Sequence, residues 1–360
     1  MTINQATTSY ETWMRRCTTV VEAHLRRKHR QMRDDLFCFL RGSFYRWVQI
    51  WPAVCRDLQK APRVLAVGDL HVGSFGTWRD TEGRLCWGVD DFDESYPLPY
   101  TNDLVRLAAS AKLMIDAERL AITLKEACGA ILDGYRRTLR DGGCPMVLAE
   151  HETNLERLGV DTIRPAEKFW PTLQALPMPR RPMSPVVRRI LEGTLPDTHL
   201  AYKVVSREAG MGSLGQQRYV AISEWNGGLI AREAKALVPS ACAWLERKIG
   251  HGQSFYQRTM AGAVRSGDPF QTIRGGWLIR RLSPDSNPIE IADLPKGRDE
   301  HTLLLAMGTE AANVHLGSAR RVKSILADVG RRKSTWLRAA AKDMAKATEQ
   351  DWKAFQHGGR

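Results

Sequence analysis

The sequence predicts an α+β protein in which helix-rich segments flank one compact unit of antiparallel strands. Apolar residues recur at three- and four-residue spacing over residues 10–50, which is the period of an amphipathic helix. Strand-like segments separated by turn residues occur between residues 198 and 282, and helical periodicity returns from residue 299 onward. At 360 residues the chain is long enough for one large bilobal domain or two ordinary domains.

The composition is that of a soluble globular protein, with 43% hydrophobic and 26% charged residues. The longest apolar runs, 61–67 and 303–307, are much shorter than a membrane span requires. The N-terminal residues lack the pattern of a signal peptide. The seven cysteines form no C-x-x-C pair, which favours a reduced compartment. We therefore expect a cytoplasmic protein without a membrane span.

The net charge of +13 indicates affinity for partners that carry phosphate. Much of the excess lies in basic runs before residue 31 and after residue 318, where solvated helix faces are the simpler interpretation. Nucleic acid is a possible partner from charge alone, but no zinc-finger spacing, basic zipper or aromatic RNA-binding pattern supports it. We expect a nucleotide instead.

Two strand candidates in the first half of the chain each end at acidic residues. The segment P-R-V-L-A-V ends at the turn G-D-L-H, and R-L-C-W-G-V ends at D-D-F-D-E. A turn-rich piece, S-Y-P-L-P-Y-T-N, leads to a strong helix with Asp103 near its N-terminus, and the helical pattern continues to about residue 140. The proline-rich stretch 175–185 is predicted to be a connector.

The second half contains the predicted β-rich unit. Three antiparallel strands are expected between residues 202 and 237, with a glycine-rich loop after the first and an N-G-G hairpin turn after the second. A further strand is expected near residue 277. These patterns divide the chain into an N-terminal helical segment, a helical lobe with the acidic motifs, the β-rich lobe and C-terminal helices that complete the helical lobe, at residues 1–60, 61–197, 198–295 and 296–360.

The acidic strand ends are candidates for catalysis and metal binding. Asp69 follows a glycine in a sharp turn and could be a general base, although a turn aspartate often bonds only its own backbone. Asp90, Asp91 and Asp93 lie so close together that a cation would be needed to neutralise them. Strand alternation places Asp91 and Asp93 on one face, and carboxylate oxygens suit Mg²⁺ together with substrate phosphates.

The glycine-rich loop G-M-G-S-L-G is a candidate phosphate-binding element. It contains Gly210, Gly212, Ser213 and Gly215 and lies between two strands, which differs from the strand-to-helix setting of a dinucleotide fold. Its backbone N–H groups can approach a triphosphate because glycine removes the side-chain barrier. The next strand carries two cations that could hold phosphates, Arg232 and Lys235.

Together these motifs resemble those of protein-kinase-like phosphotransferases of the aminoglycoside and choline kinase branch. That branch has H-G-D-x-H-x-x-N, then I-D-[FW]-[DE], then D-L-A at the start of a helix. The resemblance implies that Asp69 is the catalytic base, Asp91 the principal Mg²⁺ ligand and Asp103 an acid that supports the loop, with ATP as phosphate donor. Because the glycine-rich loop here follows the catalytic motifs, it also implies a bilobal, circularly permuted kinase-like fold.

Over most of its length the sequence also resembles an uncharacterised bacterial family, domain of unknown function twenty-two fifty-two. The shared segments are F-L-R-G with Arg41, G-D-L-H-V-G-S-F-G, D-D-F-D-E, P-Y-T-N-D-L-V-R-L-A-A-S and G-M-G-S-L-G. R-E-A-K stands where that family has K-E-A, so Arg232 occupies the lysine position. Arg41 is either a cleft cation or merely the end of a helix.

Several residues have a second interpretation. Ser74 stands where the kinase motif has asparagine, a second Mg²⁺ ligand, and Asp90 or Asp93 could compensate. His71 belongs to the catalytic motif but is expected to hold the turn by hydrogen bonds. Glu246 is a candidate partner for the strand cation. The remaining two side chains are read as structural, Arg106 as a solvated partner of Asp103 and His315 as a packed histidine.

The leading hypothesis is an ATP-dependent, Mg²⁺-requiring phosphotransferase that acts on an unidentified hydroxyl acceptor. The Ser74 and Arg232 departures motivate an alternative, a catalytically impaired nucleotide-binding pseudokinase or scaffold. A binuclear metallophosphoesterase is a third reading, because G-D-L-H resembles its first motif, but the further motifs of that class are absent from the sequence.

Overall fold

The computed structural model describes residues 1–151, 166–248, 253–286 and 300–358, and these residues form an α+β fold. The predicted fold class is confirmed at this level. Helices occur on both sides of the β-rich unit, as the periodicity indicated. They span Ile3–Cys17, Glu22–Asp34, Leu36–Gly42, Phe44–Val54, Tyr100–Asp116, Leu124–Asp141, Leu148–His151, Ala166–Gln174, Pro185–Glu192, Ala241–Leu245, Gln253–Gly262, Glu300–Leu316, Val322–Arg331 and Trp336–His357.

The described strands form three antiparallel sheets. In chain order they are β1 Arg63–Ala66, β2 Phe75–Arg79, β3 Leu85–Val89, β4 Tyr96–Pro99, β5 Lys203–Ser206, β6 Arg218–Trp225, β7 Gly228–Ala236, β8 Thr272–Arg274 and β9 Trp277–Leu282. β1 pairs with β4, and β2 pairs with β3. The remaining five strands form one sheet in the order β5-β6-β7-β9-β8.

Three short strands, β2, β4 and β8, were not predicted. β4 lies in the segment that was read as turn-rich, because its two prolines suggested a loop. Proline is tolerated in this strand because, among the described strands, β4 pairs only with β1, so one edge needs no backbone donor. β2 follows directly on the G-D-L-H turn and returns to β3 as a hairpin. As a consequence, the turn with Asp69 and the acids after β3 are brought together by two small sheets.

The helical part of the molecule is built around one hydrophobic core. N-terminal, central and C-terminal helices all contribute to it, so the first and last segments of the chain belong to the same packed unit. The Tyr100–Asp116 helix lies at its centre with almost every residue buried. Within the described residues, no helix is both long and apolar enough to span a membrane.

The five-stranded sheet has a helix against each face. Residues of Ala166–Gln174 pack against Val220 and Ala231 on one face, and residues of Pro185–Glu192 pack against Ala221 and Ala234 on the other. Alternation along β7 therefore divides its polar residues between the two faces. The four-segment division of the chain stays a prediction, and its boundary near residue 295 lies outside the described residues.

Candidate active site

A cavity of about 250 Å³ lies between the helical core and the five-stranded sheet. The turn after β1 and the acids after β3 line one wall, and the glycine-rich loop, β7 and β9 line the other. The predicted site residues that border it are Arg41, Asp69, His71, Ser74, Asp91, Asp93, Gly210, Gly212, Ser213 and Lys235. Two motifs more than 100 residues apart in sequence thus meet at one cavity.

The turn that carries Asp69 is held by a buried hydrogen-bond network. The Asp103 carboxylate accepts hydrogen bonds from the N–H groups of Val67 at 2.7 Å and Gly68 at 3.0 Å. Its Oδ2 also lies 3.0 Å from the Nε2 of His315. Gly68 has φ of +86°, and a side chain there would overlap the Glu94 carbonyl, so only glycine fits. The sequence-based roles of Asp103 and His315 are consistent with this geometry.

Asp69 has one oxygen bound and one oxygen available. Its Oδ1 accepts hydrogen bonds from the guanidinium of Arg106. Its Oδ2 forms no hydrogen bond within the described residues, and a Cβ placed on Gly212 would lie 3.7 Å from it. Burial raises the pKa of Asp69, and the charge of Arg106 opposes that rise. The Oδ2 atom is thus aimed at the glycine-rich loop.

The expectation that Arg106 is solvated is wrong, because its side chain is only 1% exposed. The guanidinium lies 5.0 Å from the Phe44 ring and 4.8 Å from the Trp47 ring, and it donates to the Leu40 carbonyl at 2.8 Å. The pattern of the Tyr100–Asp116 helix held a signal for this. A helix that is apolar on nearly all sides is buried, so an arginine within it requires a carboxylate or carbonyl partner.

The acids after β3 form an ion-paired group with Lys235. The Nζ of Lys235 contacts Asp93 Oδ2 and lies 3.5 Å from Asp91 Oδ1. The Asp93 N–H also donates to Asp91 Oδ1 at 3.1 Å. Against the effect of desolvation, Lys235 holds the pKa of Asp91 below its ordinary value, whereas burial and the Asp91 charge raise the pKa of Asp93. Burial likewise raises the pKa of Asp90 to about 6.

The glycine-rich loop is fixed from both sides. Ser213 Oγ accepts a hydrogen bond from Arg218 at 2.6 Å, and the Gly212 carbonyl accepts one from Lys28 at 2.9 Å. Gly210 and Gly215 have φ of +71° and +103°, a region that favours glycine. The loop therefore holds a defined position over Asp69.

Glu233 organises a cluster of arginines that the sequence analysis missed. Its fully buried carboxylate accepts hydrogen bonds from Arg207 at 2.8 Å, Arg218 at 2.9 Å and Arg280 at 2.7 Å. Burial would raise the pKa of Glu233, but the arginines lower it well below its usual range. All three arginines border the cavity. Strand alternation could have revealed part of this, since it places Glu233 on the same face of β7 as Lys235.

Three residues predicted to serve the nucleotide site do not border the cavity, and one of them, Gly215, packs against Val20 and Leu25 instead. Arg232 is on the opposite face of β7 from Lys235, where its Nε donates to the Thr194 carbonyl at 3.2 Å and its guanidinium lies 4.3 Å from the Phe270 ring. Of the two candidate cations, Lys235 is the one that reaches the acids. Glu246 is also wrong as the partner of the strand cation, because its carboxylate binds Tyr96 and Lys248 instead.

Ser74 and His71 both stabilise the turn. The Ser74 hydroxyl accepts from the His71 N–H and donates to the Asp69 carbonyl, each at 3.0 Å. His71 Nδ1 accepts from the Gly73 N–H at 3.1 Å. Burial and the nearby cations Arg41 and Arg106 lower the pKa of His71 well below its ordinary value, so it is neutral. Neutral His71 fits the expected structural role.

Mg²⁺ fits the acids after β3 only with further ligands from a substrate. Within the described ranges, no group of three or more His, Cys, Asp or Glu side chains forms a preformed metal site. Asp93 Oδ1 is buried without a hydrogen-bond partner, and the Asp91 side chain is 45% exposed. One or two carboxylates combined with phosphate oxygens and water is the usual Mg²⁺ arrangement in nucleotide sites. Asp91 and Asp93 suit that arrangement, whereas the Ser74 hydroxyl is already occupied.

The comparisons with known proteins support the predicted resemblance for the first part of the chain. A family model described as "Uncharacterized protein conserved in bacteria (DUF2252)" matches residues 5–167. The match includes Asp69, Asp91 and Asp103 and ends before the glycine-rich loop. No curated protein and no solved structure matches the chain.

Proposed function

We propose that this chain is an ATP-dependent, Mg²⁺-requiring phosphotransferase with a hydroxyl acceptor. Its residues 5–167 match an uncharacterized bacterial family. One observation carries the proposal. Gly212 lies over the available oxygen of Asp69 in the same cavity where Lys235 meets Asp91 and Asp93. A base, an acidic pair, a cation and a glycine-rich loop are the parts that phosphoryl transfer requires.

The proposal includes a bilobal, kinase-like arrangement with permuted chain order. Two features support it. The glycine-rich loop joins the first two strands of the five-stranded sheet, and Lys235 lies on the third strand, as in kinase-type sites. The acidic motifs occur earlier in the chain but on the opposite wall of the cavity. Circular permutation is compatible with a fold whose termini are exposed.

In the proposed reaction, Asp69 Oδ2 accepts the proton of the acceptor hydroxyl. The hydroxyl oxygen forms a bond to the γ-phosphorus of ATP as the bond to the β,γ-bridging oxygen breaks, which releases ADP. Lys235 and the backbone of the 210–215 loop bind and orient the phosphates, while Arg106 fixes the Asp69 carboxylate. Asp91 and Asp93 would hold Mg²⁺, which neutralises charge on the β- and γ-phosphates when bound. Catalysis is mainly positioning and electrostatic stabilisation.

The test is Mg²⁺-dependent ATP binding and turnover. We expect ATP with Mg²⁺ to raise the melting temperature of the wild type, and Asp91→Ala to remove most of this shift. Asp133→Ala is a matched control, because Asp133 is an exposed helix residue away from the cavity. Absence of Mg²⁺-dependent ATP binding by the wild type would end the proposal.

A second candidate function is a nucleotide-binding protein without transfer activity. The observation that favours it is the Ser74 hydroxyl, which is used within the turn at the position of a second metal ligand. This candidate predicts ATP binding without ATP turnover, and no gain of turnover in Ser74→Asn. Turnover that Asp69→Asn abolishes would exclude it.

A further inference from the structure

Arg41 is a cavity cation without an anionic partner. It lies in the last turn of the Leu36–Gly42 helix and borders the cavity. Its Nε is buried and has no hydrogen-bond partner, and no carboxylate of the described residues forms an ion pair with it. The guanidinium carbon lies 5.7 Å from the Phe37 ring. A buried, unsatisfied N–H group of a charged side chain is costly, so its presence beside a cavity points to a ligand that supplies the acceptor atom.

Arg41 and Asp69 line the same cavity, and each is close to a glycine of the cavity wall. A Cβ placed on Gly212 would be 3.7 Å from Asp69 Oδ2 and 3.5 Å from the Arg41 carbonyl oxygen. A Cβ on Gly73 would be 3.7 Å from the guanidinium carbon of Arg41. Burial raises the pKa of Asp69, and Arg41 is among the cations that oppose this rise, so its charge acts on the carboxylate that would receive the acceptor proton.

The other cations that line the cavity each donate to a partner within the described residues. Lys28, Arg265 and Arg281 donate to backbone carbonyls, and Arg207 and Arg280 donate to the Glu233 carboxylate. Lys235 is paired with Asp91 and Asp93, and Arg218 is paired with Glu233. Asp69 itself is paired with Arg106, which leaves Arg41 uncompensated. The cations on the strand side would bind the nucleotide, so the charge on the Arg41 side calls for a second anion.

We propose that the acceptor carries a phosphate or carboxylate group near its reactive hydroxyl and that Arg41 binds this group. This inference rests on the proposed phosphotransferase function and specifies its substrate class. The planar guanidinium suits either group, because it can donate two parallel hydrogen bonds to two oxygens. Neutral alcohols and unmodified sugars would leave Arg41 unsatisfied and are poor acceptors on this account.

The test uses inorganic phosphate and, in a separate arm, acetate as probes. Each is titrated by calorimetry into the protein saturated with Mg²⁺ and a non-hydrolysable ATP analogue. We expect one anion site in the wild type, and the arm with the higher affinity identifies the preferred group. Arg41→Gln should weaken the site at least about 10-fold, since it removes a charge-assisted hydrogen bond. The anion affinity of Arg41→Lys should lie between those of the wild type and Arg41→Gln. The control Arg331→Gln, at an exposed position, should bind the anion as the wild type does.

Three results separate this inference from the proposed function. Anion binding that is unchanged in both Arg41→Gln and Arg41→Lys overturns the inference alone. Loss of nucleotide affinity in Arg41→Gln as large as in Lys235→Gln also overturns it, because Arg41 then serves the nucleotide. If the wild type binds no nucleotide, the proposed function fails. The same titration of the free protein then decides whether Arg41 binds an anion at all.

Discussion

Glu233 and Asp69 are both buried carboxylates with arginine partners, yet their surroundings differ. Both oxygens of Glu233 are bound, by three arginines, and its side chain has no exposed surface. Asp69 has one oxygen bound by Arg106, and its side chain is 15% exposed toward the cavity. The arginines lower the pKa of Glu233, whereas burial raises the pKa of Asp69. Because both oxygens of Glu233 are bound, this carboxylate is a structural anchor. Because one oxygen of Asp69 has no partner among the described residues, that carboxylate is available for chemistry.

The largest expected effect is that of Asp69 on the rate of phosphoryl transfer. Asp69→Asn should lower the rate of phosphoryl transfer about 10²–10⁴-fold, because the amide cannot accept the proton of the acceptor. Nucleotide affinity should change little, since Lys235 and the glycine-rich loop remain. The measurement is single-turnover ATP consumption together with ATP titration, and Asp133→Asn is the control. A variant that retains the wild-type rate would show that Asp69 is structural, like Glu233.

Glu233, whose two oxygens are both bound by arginines, should contribute to the stability of the fold. Glu233→Gln leaves three arginines in the sheet without their counter-charge, and we expect a loss of about 3–5 kcal/mol in the free energy of unfolding. Urea denaturation measures this. Glu224→Gln, an exposed position on the neighbouring strand β6, should lie within about 0.5 kcal/mol of the wild type. Equal effects of the two substitutions would contradict the anchor role.

The two faces of β7 offer a third comparison. Lys235→Gln should weaken Mg²⁺–ATP binding about 10- to 100-fold, because it removes a charge-assisted contact to phosphate. Arg232→Gln should leave ATP affinity unchanged, since Arg232 packs against Phe270 on the other face. Calorimetric titration of both variants checks this. The reverse order of effects would mean that the R-E-A-K segment binds phosphate in a different register.

The smallest effect is a dependence on pH. Because the folded pKa of Glu233 is lowered, its contribution to stability is present above the ordinary glutamate pKa of about 4.5 and is lost as the pH falls toward the folded pKa. The stability difference between wild type and Glu233→Gln should be constant from about pH 8 to pH 5 and should narrow below about pH 4. Urea titrations across this range measure it, and a difference that widens in acid would contradict the direction of the shift.

The sequence predicted the main parts of the site because local patterns encode them. Turn glycines and strand-end acids identified Asp69 and Asp91, and the glycine-rich loop was placed correctly between two strands. These features depend on the few residues around each motif. For the same reason, a helix with Asp103 near its start followed from the local pattern, whereas the break between Asp116 and Leu124 was not predicted.

What the sequence did not predict depends on contacts between distant segments. Lys28 reaches the Gly212 carbonyl from a helix whose composition suggested only a solvated face. The arginines around Glu233 come from three separate segments, and nothing in their spacing indicates a shared partner. Arg106 was misread because its spacing from Asp103 suggested a surface pair, although the helix that carries both is buried.

A structure of the protein with Mg²⁺ and a non-hydrolysable ATP analogue tests the central proposal most directly. We expect the triphosphate to lie beneath the 210–215 loop and Lys235 to contact its phosphates. Asp91 and Asp93 should then face the metal, and the γ-phosphate should lie within reach of Asp69. A nucleotide bound outside this cavity, or phosphates held by Arg232 instead of Lys235, would contradict it.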